Sequence, residues 1–271
     1  MPKVAIRSMI VAPKDYYLLS VDLSQAEAWV VAFLANEYRM KQALMYGDIH
    51  SQTARGLFDI PENSPVPTDQ RYLGKRFNHA CNYRMGPDRA AQVINKDSDK
   101  PPYVMVTISQ TRKLHAKWNA YYSLQGWWSD IERKLQIDRT LTTPYGRRRR
   151  FYRELGMELY KEATAFIPQS TIADHMFGKV QTELGVKGGL LGIYNNIIVP
   201  SKGEIRITNT SHDSAILEVP KPIINEITAR CIQEIRRPLV INGETVTIPA
   251  DAEIGERWGE LEKVDLKEMA A

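Results

Sequence analysis

The chain has 271 residues, 43% of them hydrophobic and 25% charged, with 36 basic against 32 acidic side chains for a formal net charge of +4. That is the make-up of a folded protein with one large domain or two small ones, and it excludes wholesale disorder and fibrous repeats. Apolar runs at 28–35 and 188–194 fall well short of the ~20 residues of a membrane span, and Met1–Arg7 lacks the apolar stretch of a secretory signal, so neither membrane association nor secretion is expected. In chain order, 16–21 is a β-type run ending at Asp22. Ser24, with Glu27 three residues on, has capping-box spacing and predicts a helix to about Ala35. Further helices are predicted near 39–46 and, capped by Asp48, over 49–57; the prolines of 60–67 mark a loop. Thr68 is expected to cap a strong helix over 69–84, stopped by Met85-Gly86-Pro87. After a polar loop at 95–102 come helices at 109–122 and 125–137, a hairpin over 140–152, and a long helix over 158–184 interrupted near Pro168. Strands at 205–211 and 215–219 flank a tip formed by His212-Asp213-Ser214. A helix over 220–235 and a hairpin around Asn242-Gly243 complete the series. Strand, many helices, then strands is an α+β order, with a helical insertion between parts of one antiparallel sheet.

The two cysteines, Cys81 and Cys231, are too few for a zinc ribbon or finger and read as reduced, buried thiols. Charge is unevenly spread. Arg71, Lys75, Arg76, Arg84 and Arg89 meet one acid, Asp88, between residues 71 and 90, and Arg147–Arg150 is unbroken, whereas residues 251–271 carry seven acids against three bases. A basic centre with an acidic tail suits a polyanionic partner such as nucleic acid or a nucleotide.

Two features carry chemistry. Asp22 and Asp213 each stand at the end of a strand; brought together they would repel, and a divalent cation removes that penalty and creates a two-metal phosphoryl-transfer site. On the helix from 69, Arg71, Lys75, His79 and Tyr83 recur every four residues and drift only about 120° around one face. Cations along that face suit a triphosphate, and its aromatic groups suit a base. The other face, with Leu73, Phe77, Ala80 and Cys81, is expected to be buried.

These residues resemble the motifs of family A DNA polymerases. Asp22-Leu23-Ser24-Gln25-Ala26-Glu27 is similar to motif A, Arg71-x3-Lys75-x3-His79-x3-Tyr83 to motif B, and His212-Asp213-Ser214 to motif C. Gly47-Asp48-Ile49-His50, Thr143-x2-Gly146-Arg147-Arg148, the segment from Gln169 to Asp174, and Gly255-Glu256-x-Trp258 match four further family segments in the same order. The resemblance implies an antiparallel palm sheet with a large helical fingers insertion: palm over 1–36, fingers over 37–138 and palm again over 139–271. It implies a template-directed DNA polymerase that transfers nucleotides from dNTP to a primer 3′-hydroxyl on primer–template DNA, in the cytoplasm of a bacterial or phage-infected cell. Asp22 and Asp213, with the carbonyl of Leu23, would hold two Mg²⁺ ions. Gln25, Glu27, His50, Arg71, Lys75, His79 and Tyr83 would bind the nucleotide; Lys75 would also protonate pyrophosphate, and Glu27 would exclude a 2′-hydroxyl. Arg147, Arg148, Lys161, Gln169 and His212 would contact DNA.

The sequence departs from the family pattern at His79, normally Phe or Tyr, at Ala80 and Arg84, normally glycines, at Trp29, often Arg, and at Ser214, normally Glu. His-Asp-Ser occurs in single-subunit phage-type RNA polymerases, an alternative that Glu27 opposes; a non-catalytic nucleic-acid-binding remnant is the other. A thumb and its T-G-R-L-S segment are missing from the resemblance. A second polypeptide carrying the thumb and any exonuclease is therefore expected, docking near Val4, Ile6, Met9 and Ile10.

Overall fold

The computed structural model describes residues 6–266. Its elements are β1 (Tyr16–Leu23), α1 (Ala26–Leu34), α2 (Tyr38–Tyr46), α3 (Ile49–Phe58), α4 (Thr68–Asn82), α5 (Pro87–Asn95), α6 (Ile108–Tyr121), α7 (Gln125–Ile137), β2 (Thr140–Thr142), β3 (Arg148–Arg150) and α8 (Met157–Phe177). They continue with α9 (Gly189–Ile193), a π-helical turn (Tyr194–Ile198), β4 (Arg206–Ser211), β5 (Ser214–Pro220), α10 (Ile224–Ile235), β6 (Pro238–Ile241), β7 (Glu244–Thr247), β8 (Ala250–Gly255) and β9 (Glu262–Lys263). The chain divides into two compact units.

The first unit takes in Met1–Ala26, Pro144–Gly146 and Ser170–Ala271. Its centre is a five-stranded antiparallel sheet in the order β4-β5-β1-β8-β9, packed against α10. The two-residue period of a strand divides each chain between two faces. Leu19, Val21 and Leu23 of β1, Ala215, Leu217 and Val219 of β5, and Ala250 and Ala252 of β8 are buried on one parity. Helix α10 buries Ile224, Ile227, Thr228, Cys231, Ile232 and Ile235, the stripe expected of an amphipathic helix laid on a sheet. Ile6, Met9, Ile10 and Val11 are exposed, and Val4 lies outside the described residues.

The second unit takes in Glu27–Thr143 and Arg147–Gln169. It is helical, with the small β2–β3 hairpin. Helices α3 and α4 pack at very close range, because a Cβ at Gly74 would fall 2.3 Å from the carbonyl oxygen of His50. Between them lies a buried hydrogen-bond network. Asn78 Oδ1 accepts from Trp118 Nε1 at 2.9 Å, Asn78 Nδ2 reaches Thr53 Oγ1 at 2.9 Å, and Thr53 Oγ1 meets the Tyr122 hydroxyl at 2.8 Å.

Several local expectations are corrected. Helix α4 begins at Thr68 after Pro67, with no side-chain cap. Ser24 does not cap α1; its hydroxyl donates instead to Asp251. Strand β1 continues through Asp22 to Leu23. Pro168 does not interrupt α8, which runs unbroken to Phe177: a proline lacks one N–H, so only the bond to the Thr164 carbonyl is lost. Helices α5 and α9 and strand β8 were not expected at all. Both cysteines are buried and unpaired; burial raises both thiols, that of Cys231 to about 12.

Candidate active site

On β1, the parity that buries Leu19, Val21 and Leu23 turns Ser20 and Asp22 to the opposite face. Asp22 stands directly opposite Ser214 of β5 on one side and Asp251 of β8 on the other. Residues so paired share a face, with their Cβ atoms about 5 Å apart. Asp213 occupies the turn between β4 and β5, where its carbonyl accepts the Leu23 N–H at 3.0 Å. That bond ties the turn to the end of β1.

The resulting cleft, about 420 Å³, is lined by Asp22, Asp213, Asp251 and Glu253, with Arg7 and Lys263 as its cations. Burial, and then the charges of Asp213, Asp251 and Glu253, push the Asp22 carboxyl up to about 7. A carboxylate so placed gains from any cation that enters. Its donors are hard oxygens, the type that suits Mg²⁺. Among the described residues no three His, Cys, Asp or Glu side chains are grouped to hold an ion by themselves. A cation that retains waters or substrate oxygens in most positions, as Mg²⁺ commonly does, would fit such donors.

Asp251, Glu253, Lys263 and Arg7 were not singled out from the sequence. Asp251 and Glu253 were seen only as part of an acidic tail. The available signal was the alternation Ala250-Asp251-Ala252-Glu253, small residues on one parity and acids on the other.

In the second unit, Arg71, Lys75 and His79 lie exposed on one side of α4, while Leu73, Phe77, Ala80 and Cys81 are buried on the other. Arg71 Nε donates to Asp48 at 2.7 Å, and the same Asp48 caps α3 through the N–H groups of His50 and Ser51. Asp48 is thereby held below the usual carboxylate range: its hydrogen bonds and the Arg71 charge outweigh the opposing effect of burial, the largest single influence. His50 is buried, and Asn78 Nδ2 lies 3.3 Å from its Nδ1. Burial lowers His50 to about 4, so at neutral pH it is an uncharged imidazole; it can meet a phosphate as a neutral N–H donor but not as a cation.

Tyr83 follows the last residue of α4, and its hydroxyl is buried. The hydroxyl lies close enough to Glu27 and Gln169 to feel both, though it makes no hydrogen bond of good geometry with either. Burial, then Glu27, raises the phenol above its ordinary range. Gln25, between β1 and α1, is exposed at φ 55. Arg147 and Arg148 are exposed at the β2–β3 hairpin, whose closure uses the pair Thr143 N–H to Arg147 O at 2.9 Å. Lys161 pairs with Glu158 at 2.8 Å, and His212 is exposed beside Asp213.

Comparison with known proteins agrees with this architecture. The family model for DNA polymerase family A matches residues 2–260. The DNA polymerase of Escherichia phage T5 is 23% identical, over 92% of this chain and 31% of its own length. DNA polymerase I of Pseudomonas aeruginosa is 26% identical, over 94% of this chain and 26% of its own. Among solved structures, the POL domain of Pol1 from M. smegmatis, in complex with DNA primer-template and dNTP, superposes with a TM-score of 0.73 at 18% identity, covering 95% of this chain and 43% of that one. The chain thus spans about a quarter to a third of the curated relatives' length. With a family model matched over nearly its whole length, the chain belongs to DNA polymerase family A.

Proposed function

We propose that the chain carries out template-directed transfer of deoxynucleotides to a primer 3′-hydroxyl, with the first unit acting as palm and the second as fingers. The observation that carries this reading is the pairing of Asp22 and Asp213 in one acid-rich cleft of a family A chain. Asp22, Asp213 and the Leu23 carbonyl would hold two Mg²⁺ ions, which supply activation of the 3′-hydroxyl and neutralisation of the phosphates when bound. The β1 register sets Asp22 opposite Ser214, the neighbour of Asp213 in the chain. Lys75, on the exposed side of α4, would bind the triphosphate and give a proton to the leaving pyrophosphate. Arg71 would add a second, Asp48-oriented cation, and His50 a neutral donor. Glu27 would close the space beside the sugar, and Gln25, His79 and Tyr83 would bind the nucleotide. Arg147, Arg148, Lys161, Gln169 and His212 would hold DNA, the arginines by backbone phosphates.

Primer–template DNA and dNTPs are proposed as partners, as in the M. smegmatis complex. Further polypeptide, in the same chain or another, would grip the upstream duplex; Ile6, Met9, Ile10 and Val11 form an exposed apolar strip suited to receive it. The test is Mg²⁺-dependent primer extension with deoxyribonucleotides and ribonucleotides in parallel. Extension by the wild type that disappears in Asp22→Asn and Asp213→Asn supports the reading. Extension that survives both substitutions overturns it, and preference for ribonucleotides would move the chain to RNA synthesis.

A further inference from the structure

Strand β9 brings a cation into the cleft that no motif announced. It pairs antiparallel with β8, setting Lys263 opposite Glu253, and the Val264 N–H bonds the Ala252 carbonyl at 2.9 Å just beyond. The Lys263 side chain does not rest on its cross-strand partner. It reaches diagonally along β8 to Asp251, with Nζ 3.0 Å from Oδ1. Asp251 is the residue directly opposite Asp22, and both line the cleft with Lys263.

Resting on the polymerase reading, we propose that Lys263 is a phosphate ligand of this cleft, parked on Asp251 in the substrate-free chain and transferred to a phosphate oxygen when substrate enters. The pair is solvent-accessible, with side-chain exposures of 65% for Lys263 and 41% for Asp251, and exposed ion pairs contribute little stability. Exchanging it for another anion therefore meets little resistance. Asp251 keeps a partner when the lysine leaves, because the Ser24 hydroxyl donates to its other oxygen. Four carboxylates line the cleft against two cations, so an arriving polyanion meets repulsion that a mobile ammonium relieves. The second cation, Arg7, is engaged over the Trp258 ring at 4.9 Å. A lysine is a flexible point charge with three donors, suited to following a phosphate as it settles. Both the DNA backbone and the nucleotide triphosphate offer this chemistry.

The experiment measures primer–template binding by the full chain between about 50 and 200 mM salt, together with nucleotide KM in primer extension. If the phosphate belongs to DNA, Lys263→Gln should weaken binding about 3- to 10-fold at low salt and reduce the salt slope by about one, while Lys263→Arg retains both. If it belongs to the nucleotide, DNA binding should hold and KM should rise by a similar factor, again with rescue by arginine. An Asp251→Asn background separates ligation from mere neutralisation. A Lys263→Gln loss that persists there supports the proposal; a double variant that regains wild-type behaviour overturns it. A wild type that binds and extends, with Lys263→Gln unchanged in both assays, overturns the proposal and leaves the polymerase reading standing. A wild type that neither binds nor extends overturns both.

Discussion

The carboxylate cleft of the first unit and the cationic side of α4 in the second solve opposite problems. In the cleft, like charges accumulate with too few counter-ions, and Asp22 responds by holding its proton up to about 7. Around α4, charge is settled internally: Arg71 rests on Asp48, Asp48 caps α3, and His50 is kept neutral by burial beside Asn78. On the proposed reading, the acidic cleft stays electrostatically unsatisfied until metal ions arrive, whereas a surface that would receive a phosphate chain can be braced in advance, since its ligand would bring the opposite sign.

The sharpest way to break this contrast is to remove an acid. Asp22→Asn or Asp213→Asn should lower primer extension by about 10³-fold or more, without lowering the melting temperature of the metal-free chain, because one of several repelling acids has gone. Loss of folding in either variant, seen by circular dichroism, would count against a mainly catalytic role. The bracing of the second unit is tested by Gly74→Ala. The new methyl would meet the His50 carbonyl and the Ala54 backbone, so α3 and α4 must part, at a cost of about 2–3 kcal/mol in denaturant unfolding. An unchanged midpoint would show that the two helices have room to spare.

Glu27→Ala should admit ribonucleotides about 10- to 100-fold more readily in competition extension, a change of about 1.4–2.7 kcal/mol in discrimination. Unchanged selectivity would assign the choice of sugar to His79 or Tyr83. The smallest expected effect is on pH dependence. Asp22 is raised in the folded chain, so its contribution to stability is full below the unfolded carboxyl range and is lost as pH rises through about 7. In the presence of chelator, stability should fall by about 1–2 kcal/mol between pH 4 and 8 on this account, the full shift being reduced because the site is half open to water. Asp22→Asn should flatten that component, measured as the difference between the two unfolding profiles.

Much of this was legible in the sequence where a signal was local. The Asp48 cap, the two-faced α4 and the strand leading to Asp22 each rest on neighbours within a few residues. What escaped depended on distant partners or weak propensity. Ser24 had every local mark of a helix cap, yet its hydroxyl is taken by Asp251, 227 residues away. Strand β8 reads Ala-Asp-Ala-Glu, residue types disfavoured in strands, and is held by pairing with β1. Helix α5 is hidden because Pro87 marks the end of α4 in the sequence, whereas the same residue is well suited to start a helix. The overlooked strand carried the overlooked acids, which is why the cleft looked emptier in sequence than in structure.

The alternation along β8 also sets what length changes this gene can tolerate. Inserting or deleting one residue in the short link at Ile248–Pro249 would slide β8 by one step against β1, turning Asp251 and Glu253 into the core and Ala250 and Ala252 into the cleft. A slide of two steps would keep the parity, and after a two-residue deletion it would set Glu253 opposite Asp22, acid for acid. Lineages carrying this strand should accordingly gain or lose residues there in pairs, and reading-frame-preserving libraries that vary the link by one residue should be depleted of folded members relative to those that vary it by two.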